Sequence, residues 1–374
     1  MKAYVASDLR DLNRKSVFSF ISSRDEVSKT MIARETGISG PTVIKIVSFL
    51  LEQGLIEGNG ERGGSVGRKS HMLRLNKNAR YAIGAAVEGK YIRVGAVNLQ
   101  GEISCVETAK SDGADITELI ECIVPQTVEK LIKKSGIERE RFLGIGLGLP
   151  CSYDVDRHIA SFAPLIDMRD GICTTESEKK LCDLLGLPLV VDNDVNMEVI
   201  GEYYRRGLQG ADLAYISIGT GLGAGIVLEG KLRRGTNAQC GEIGYMVFEN
   251  NYTVGLNNAG WLEKRVNLEA LKRRFGFDLS HADDCDLSEL IEYVSEKIAL
   301  CITNFASIID CGIVCLGGVL ASKLSDALLD SVRNMLKKLC AISIDLQKPI
   351  CEDAGIVGAS RQVIDRELDL MLER

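Results

Sequence analysis

No apolar run in this chain approaches the roughly 18 to 20 residues that a membrane helix needs, and the opening MKAYVASDLRDLNRK lacks the apolar core of a secretory signal. A cytoplasmic protein with no membrane partner is expected. Proline is scarce, 6 residues against 38 glycines. With 45% hydrophobic and 26% charged residues, that balance excludes a disordered or fibrous chain and points to a soluble α/β protein. Paired cysteine motifs are missing: the 12 cysteines stand singly, with no CxxC, most of them in apolar segments such as Ile313-Val314-Cys315-Leu316. They read as small buried hydrophobes in a reducing compartment, not as disulfides or metal ligands.

A net positive charge is also missing, since the chain carries −7. The average hides an asymmetry. Residues 1–80 hold 14 Lys and Arg against 8 Asp and Glu, a balance of +6, while the rest holds 31 against 44, or −13. One end suits phosphates. At 374 residues, two or three domains are expected.

The basic end has the pattern of a DNA reader. Leu9, Leu12, Val17, Phe20 and Ile21 fall on one face of a first helix. A second helix fits residues 29–36 and is closed by Gly37. Ser39-Gly40-Pro41 then opens a third, whose buried stripe is Val43, Ile46, Val47, Leu50 and Leu51. Its other face offers Ser39, Pro41, Thr42, Lys45 and Ser48, short polar or basic groups suited to base edges and phosphates in a major groove. Leu55-Ile56-Glu57-Gly58 and His71-Met72-Leu73-Arg74-Leu75 pair as a wing around a glycine-rich turn. Arg68 and Lys69 on its return can reach a minor groove or phosphate. A plain three-helix packing module would share the periodicity, but not the turn chemistry, the wing and the local charge together.

Beyond residue 80, strands alternate with helices: strands at 81–86, 92–98 and 143–147, a helix over 116–134, and a last helix after Gly358. This is α/β layering, compatible with two lobes around a cleft. Three segments carry chemistry. The strand Val190-Val191 runs into Asp192-Asn193-Asp194-Val195-Asn196 ahead of a helix over 197–206. There Asp194 can orient or deprotonate a sugar hydroxyl and Asn193 can bond its neighbours, or the string is an Asx-rich capping turn. The stretch from Gly219 to Gly225, with Thr220, Gly221 and Gly223, is a glycine-rich hairpin whose amides can approach an anion. Residues 235–263 include Gly241-Glu242-Ile243-Gly244-Tyr245 and Gly260-Trp261-Leu262-Glu263, where Glu242 and Glu263 are either paired acceptors of ligand hydroxyls or solvated surface acids.

With Gly146-Leu147-Gly148-Leu149-Pro150, Gly317-Gly318 and Gly355-Ile356-Val357-Gly358-Ala359, these motifs occur in an order that resembles the ROK family of repressors, open reading frames and sugar kinases, over nearly the whole chain. The resemblance implies a winged helix-turn-helix over 1–78 and, over 79–374, a two-lobed actin-like ATPase (ribonuclease H-like) body with sugar in its cleft. On that mapping Asn193 and Asp194 hold sugar hydroxyls, with Asp194 at the kinase base position, and Glu242, Glu263 and Tyr245 line the ring. Gly219, Thr220, Gly221 and Gly223 form the second phosphate loop, and Gly317-Gly318 approach adenosine.

Two departures bear on activity. Where the family's kinases carry an Asp, Gly, Gly, Thr loop, this chain reads Ala86-Val87-Glu88-Gly89-Lys90, which removes the metal anchor and places an acid near the phosphates. The family's zinc ligands correspond to Tyr245, Val254, Leu256 and Trp261, none of them a zinc ligand, so no metal or cofactor is expected. Leu256 and Trp261 are expected to fill that volume with an apolar cluster. Pro164-Leu165-Ile166 stands where relatives often offer an Asn to the sugar. The expectation is a sugar-responsive repressor with operator DNA and a small sugar as partners, acting as a homodimer or homotetramer. A constitutive DNA-binding regulator and an active sugar kinase are the alternatives.

Overall fold

The computed structural model describes residues 6–62, 70–161, 171–250, 259–280 and 286–373. Its first unit comprises α1 (Ala6–Ser22), β1 (Val27–Ser28), α2 (Lys29–Thr36), α3 (Gly40–Glu52), β2 (Ile56–Arg62) and β3 (Ser70–Leu75). Ser28 caps α2 by accepting from the Met31 amide at 3.2 Å, and Gly37 closes it at φ 72°. Before α3 the Ser39 hydroxyl meets Thr42 Oγ1 at 2.8 Å and caps no amide, while Pro41 occupies the first turn. Val43, Ile46, Val47 and Leu50 are buried, but Leu51, expected beside them, is 40% exposed. In α1 the core contacts are Val17, Phe18 and Ile21, whereas Leu9 and Leu12 are 53% and 46% exposed and Phe20 is half-buried. The apolar face expected for α1 holds only in its second half, because a 17-residue helix outruns the small core beneath it. The strands form an antiparallel sheet in the order β1-β3-β2, irregular between Gly58 and Glu61. Arg68 and Lys69 lie outside the described residues.

The body begins with β4 (Tyr81–Glu88), β5 (Tyr91–Asn98), β6 (Ile103–Lys110), α4 (Ile116–Glu118), α5 (Val124–Ser135) and β7 (Phe142–Leu149). A π-helical turn at Leu119–Ile123 interrupts the helix expected over 116–134. Then follow β8 (Ser152–Asp154), β9 (Ile159–Ser161), β10 (Ile172–Cys173), α6 (Thr175–Leu185), β11 (Leu189–Asn193) and α7 (Asp194–Arg205). The second half holds β12 (Leu213–Ile218), β13 (Leu222–Leu228), β14 (Lys231–Leu232), α8 (Glu263–Val266), α9 (Leu268–Phe275) and α10 (Ser288–Ile309). It ends with β15 (Ile313–Gly317), α11 (Gly318–Leu339), β16 (Asp345–Gln347) and α12 (Ala354–Glu373).

The two main sheets run β11-β7-β4-β5-β6 and β14-β13-β12-β15-β16. Each lays an antiparallel three-strand meander beside two parallel strands in the same sequence order. The internal repetition is therefore explicit in topology although it is faint in sequence. Each lobe has its own apolar core, one containing Ile83, Ile92, Ile145 and Leu147, the other Ile218, Ile298, Val314 and Leu320.

Two boundaries differ from expectation, and both matter for the site. Helix α7 starts at Asp194, so Asp194 and Asn196 lie in its first turn with Asn193 as the cap. Helix α12 starts at Ala354, before Gly358. Gly358 is a contact point within it, since a Cβ there would sit 1.8 Å from the Met197 carbonyl of α7. Two helices can approach so closely only where a side chain is missing. The described cysteines are all free, and Cys151, Cys301, Cys311, Cys315 and Cys351 are buried as expected, but Cys122 and Cys173 are exposed.

Candidate functional site

The end of β11 delivers Asp192, Asn193 and Asp194 to the junction of the two lobes. Asn193 caps α7 by accepting from the Asn196 amide at 3.0 Å, and its amide nitrogen donates to the Cys151 carbonyl at 2.9 Å and to Asp194 Oδ1 at 3.0 Å. The capping role read from the sequence is therefore present at Asn193. Asp194 also accepts from the Val195 amide at 2.9 Å. Burial raises its pKa to about 7 in spite of these donors.

Glu242 comes from the turn after β14 and Glu263 from the start of α8. Burial lifts Glu242 to about 7, helped by repulsion from Glu263 and Asp194, so the three carboxyl groups share one space. Glu263 is itself pushed up by burial, yet its oxygens hold backbone amides: Leu222 N donates to Oε1 at 3.3 Å and Gly260 N to Oε2 at 3.4 Å. The first of these amides lies in the glycine-rich hairpin of Gly219, Thr220, Gly221 and Gly223, so an acid already occupies one of the hairpin's backbone donors. Tyr245 is half-buried in the short helical turn after Glu242.

The loop that carries the two glutamates is welded to β13 by its backbone. Leu262 N donates to the Gly244 carbonyl at 2.9 Å and Ala224 N to the Gly241 carbonyl at 2.8 Å; a Cβ on Gly260 would lie 2.0 Å from the Gly244 carbonyl oxygen. Trp261 is 1% exposed and meets Phe248 edge-on, with ring centroids 5.4 Å apart and planes at 87°. Trp261 thus packs against Phe248, while Leu256, Val254 and Pro164 to Ile166 lie outside the described residues. Among the described residues no group of His, Cys, Asp and Glu could hold a metal.

Three residues outside the motifs also reach this junction: Arg234, Gln362 and Glu198. Fully buried Asp192 takes Arg234 in a fork, Nε at 2.9 Å and Nη2 at 2.6 Å, and also accepts from Asn196 Nδ2 at 2.9 Å and Gln362 Nε2 at 3.3 Å. Arg234 and Gln362 stand 42 and 170 positions along the chain from it, so only the fold brings them together. The remaining one is Glu198, one turn beyond Asp194 on α7. Burial and Asp194 raise it to about 8, a Ser217 hydrogen bond opposes that shift, and Oε2 is buried without a partner.

Away from this junction, Ser39, Pro41, Lys45 and Ser48 are exposed and Thr42 is half-buried, all at or within α3. Pro41, Lys45 and Ser48 follow helical spacing and share an outward stripe. The head is tied to the C-terminus: Lys15 pairs with Asp369 at 3.1 Å and Glu373 at 3.0 Å, and Arg14 Nη1 donates to the Leu372 carbonyl at 3.0 Å. Its apolar core runs without a break into Val363, Ile364, Leu368 and Leu372 of α12. No helix among the described residues is long and apolar enough to cross a membrane.

A family profile described as the ROK family matches residues 82–364. The chain is 23% identical over 381 residues to the xylose repressor of Bacillus subtilis strain 168, covering 97% of both chains. It is 27% identical over 265 residues to the xylose repressor of Caldicellulosiruptor bescii, where the match spans 70% of this chain and 65% of that repressor. Among solved structures it is similar to a ROK family transcriptional regulator described as a homologue of the E. coli MLC protein. That likeness has a TM-score of 0.77 at 18% identity, covering 98% of this chain and 99% of the other.

Proposed function

The chain belongs to the ROK family, and from that premise we propose that it is a sugar-responsive transcriptional repressor whose kinase-like body senses a sugar and transfers no phosphate. The observation that carries the reading is the convergence of Asn193, Asp194, Glu242 and Glu263 at the junction of two like-folded lobes, connected by α12 to a small basic unit with an exposed polar helix. Residues 1–78 act as the winged helix-turn-helix and residues 79–374 as the sensor. Ser39, Pro41, Thr42, Lys45 and Ser48 face operator DNA, with Arg68 and Lys69 on the wing. The work is cytoplasmic, where the DNA is. Two copies, or a pair of pairs, present two reading helices to two half-sites.

Inactivity as a kinase follows from charge. Ala86 is buried where a metal-anchoring acid would stand, and Glu88 lies within 3.4 Å of Arg93, which also pairs with Asp353 at 2.5 Å. Phosphoryl transfer relies on metal and cations to neutralise the phosphates. Ala86 supplies no metal ligand, and Arg93 is already engaged by two acids.

The test is a thermal-shift screen of the whole protein against neutral monosaccharides, xylose first, with ATP and magnesium as the contrast, followed by operator release with the sugar that shifts the midpoint. A sugar shift without an ATP shift is expected. Silence from every sugar would transfer the reading to a constitutive DNA-binding regulator.

A further inference from the structure

Glu198 stands apart from the residues that the sugar reading uses. One of its carboxyl oxygens engages Ser217 at the end of β12, and the other, Oε2, is buried with no partner. Its Cγ lies 4.0 Å from where a Cβ would sit on Gly355, and the Ala86 Cβ lies 3.0 Å from the same point. Glu198 therefore sits between the end of β4, which opens the degenerate first loop, and the end of β12, which opens the glycine-rich hairpin. In a ROK kinase, the family resemblance implies, those two loops face the phosphates.

The charged groups that act on Glu198 are Asp194 and Glu88, both acids. On the β5 side, Arg93 is engaged by Glu88 and Asp353; on the hairpin side, the Leu222 amide is engaged by Glu263. A phosphate ester brings between one and two negative charges at neutral pH. On entering here it meets either an ionised carboxylate in a poorly solvated space or a protonated side chain that still fills the space. A sugar hydroxyl meets neither obstacle, because it can donate to a carboxylate or accept from a carboxylic acid.

We propose that Glu198 is a specificity-determining residue of the effector cleft, which admits unphosphorylated sugars and rejects phosphate monoesters, sugar phosphates and nucleoside triphosphates. The sugar half rests on the sensor reading given above; the phosphate half stands on charge and position alone. The regulator then responds to a sugar before a kinase has acted on it, and phosphorylation of that sugar ends the signal.

The experiment is calorimetric titration of the full-length protein with inorganic pyrophosphate at about pH 9, where carboxyl groups are ionised, at fixed ionic strength. It compares Glu88→Gln with the double variant Glu88→Gln/Glu198→Gln, so that repulsion from the first loop is removed from both. Roughly tenfold tighter pyrophosphate binding by the double variant is expected, with operator binding kept as the check of folding. Equal affinities, or no detectable binding by either, overturn the proposal. If glutamine disturbs folding, Glu198→Ser in the same background makes the same comparison. Xylose titrated into the wild type reports separately on the sensor reading, whose failure would leave the pyrophosphate comparison still decisive for Glu198.

Discussion

Four carboxyl groups at the junction of the lobes, Asp194, Glu198, Glu242 and Glu263, hold their protons more tightly in the folded chain than an unfolded chain would. For Glu198 the pKa rises from 4.5 to about 8. Between those values the native state keeps a proton that the unfolded state has released, so stability falls as pH rises through the window. Glu198→Gln removes that dependence at one site. Its stability advantage over wild type should be negligible near pH 4 and grow to the order of 4 kcal/mol by pH 8, read from urea midpoints at each pH. An advantage unchanged with pH would mean that Glu198 does not titrate in this range. Asp192, also fully buried, is paired with Arg234 at 2.6 Å. Asp192→Ala leaves a guanidinium facing the gap and should cost about 3–5 kcal/mol, visible as a lower urea midpoint. On α3, Lys45→Ala should weaken binding to an operator selected from random DNA and flatten its log-log salt slope by about 1, with sugar affinity unchanged.

At the scale of elements, Trp261 and Gly260 decide where Glu263 stands. Trp261→Ala opens a cavity under α8 and should cost about 3–5 kcal/mol, with loss of sugar binding even at temperatures where the body stays folded. Retained sugar affinity in that variant would separate the loop from the ligand. This scale also marks how far the sequence was legible. Strand and helix order and most of the α3 stripe follow from local spacing, while the choice of Asn193, Asp194, Glu242 and Glu263 as candidates follows from motif order. The start of α12 at Ala354 and the exposed Leu9, Leu12 and Leu51 do not, because burial depends on which distant element covers a face. The pairing of Asp192 with Arg234 and Gln362 is illegible for the same reason: contacts between separate segments leave no periodic trace.

Across the whole molecule, one continuous path of packed backbone joins the lobe junction to the N-terminal unit. Helix α7, which begins at Asp194, is locked to α12 where Gly201 would place a Cβ 2.0 Å from the Ala354 carbonyl and Gly358 would place one 1.8 Å from that of Met197. Contacts that close admit no sliding, so the two helices move as a block. The far end of α12 is part of the head's own core through Val363, Ile364, Leu368 and Leu372. Beside that joint lies a groove of about 1780 Å³, lined by Phe18, Arg74, Tyr203 and Gln362 among others. The ion pairs of Lys15 contribute little, since Asp369 and Glu373 are 58% and 49% exposed and such pairs are worth about 1 kcal/mol or less. The apolar joint is the stronger connection. Coupling requires only that the sugar prefer one setting of the lobes and that the setting reach the head. Leu368→Ala should therefore cost about 2–4 kcal/mol at the joint and leave sugar affinity nearly unchanged. The drop in operator affinity on adding saturating sugar should shrink several-fold. Lys15→Ala, which removes only the surface pairs, should retain most of that drop. If Leu368→Ala keeps the full response while Lys15→Ala loses it, the signal travels through the charges and not through the shared core.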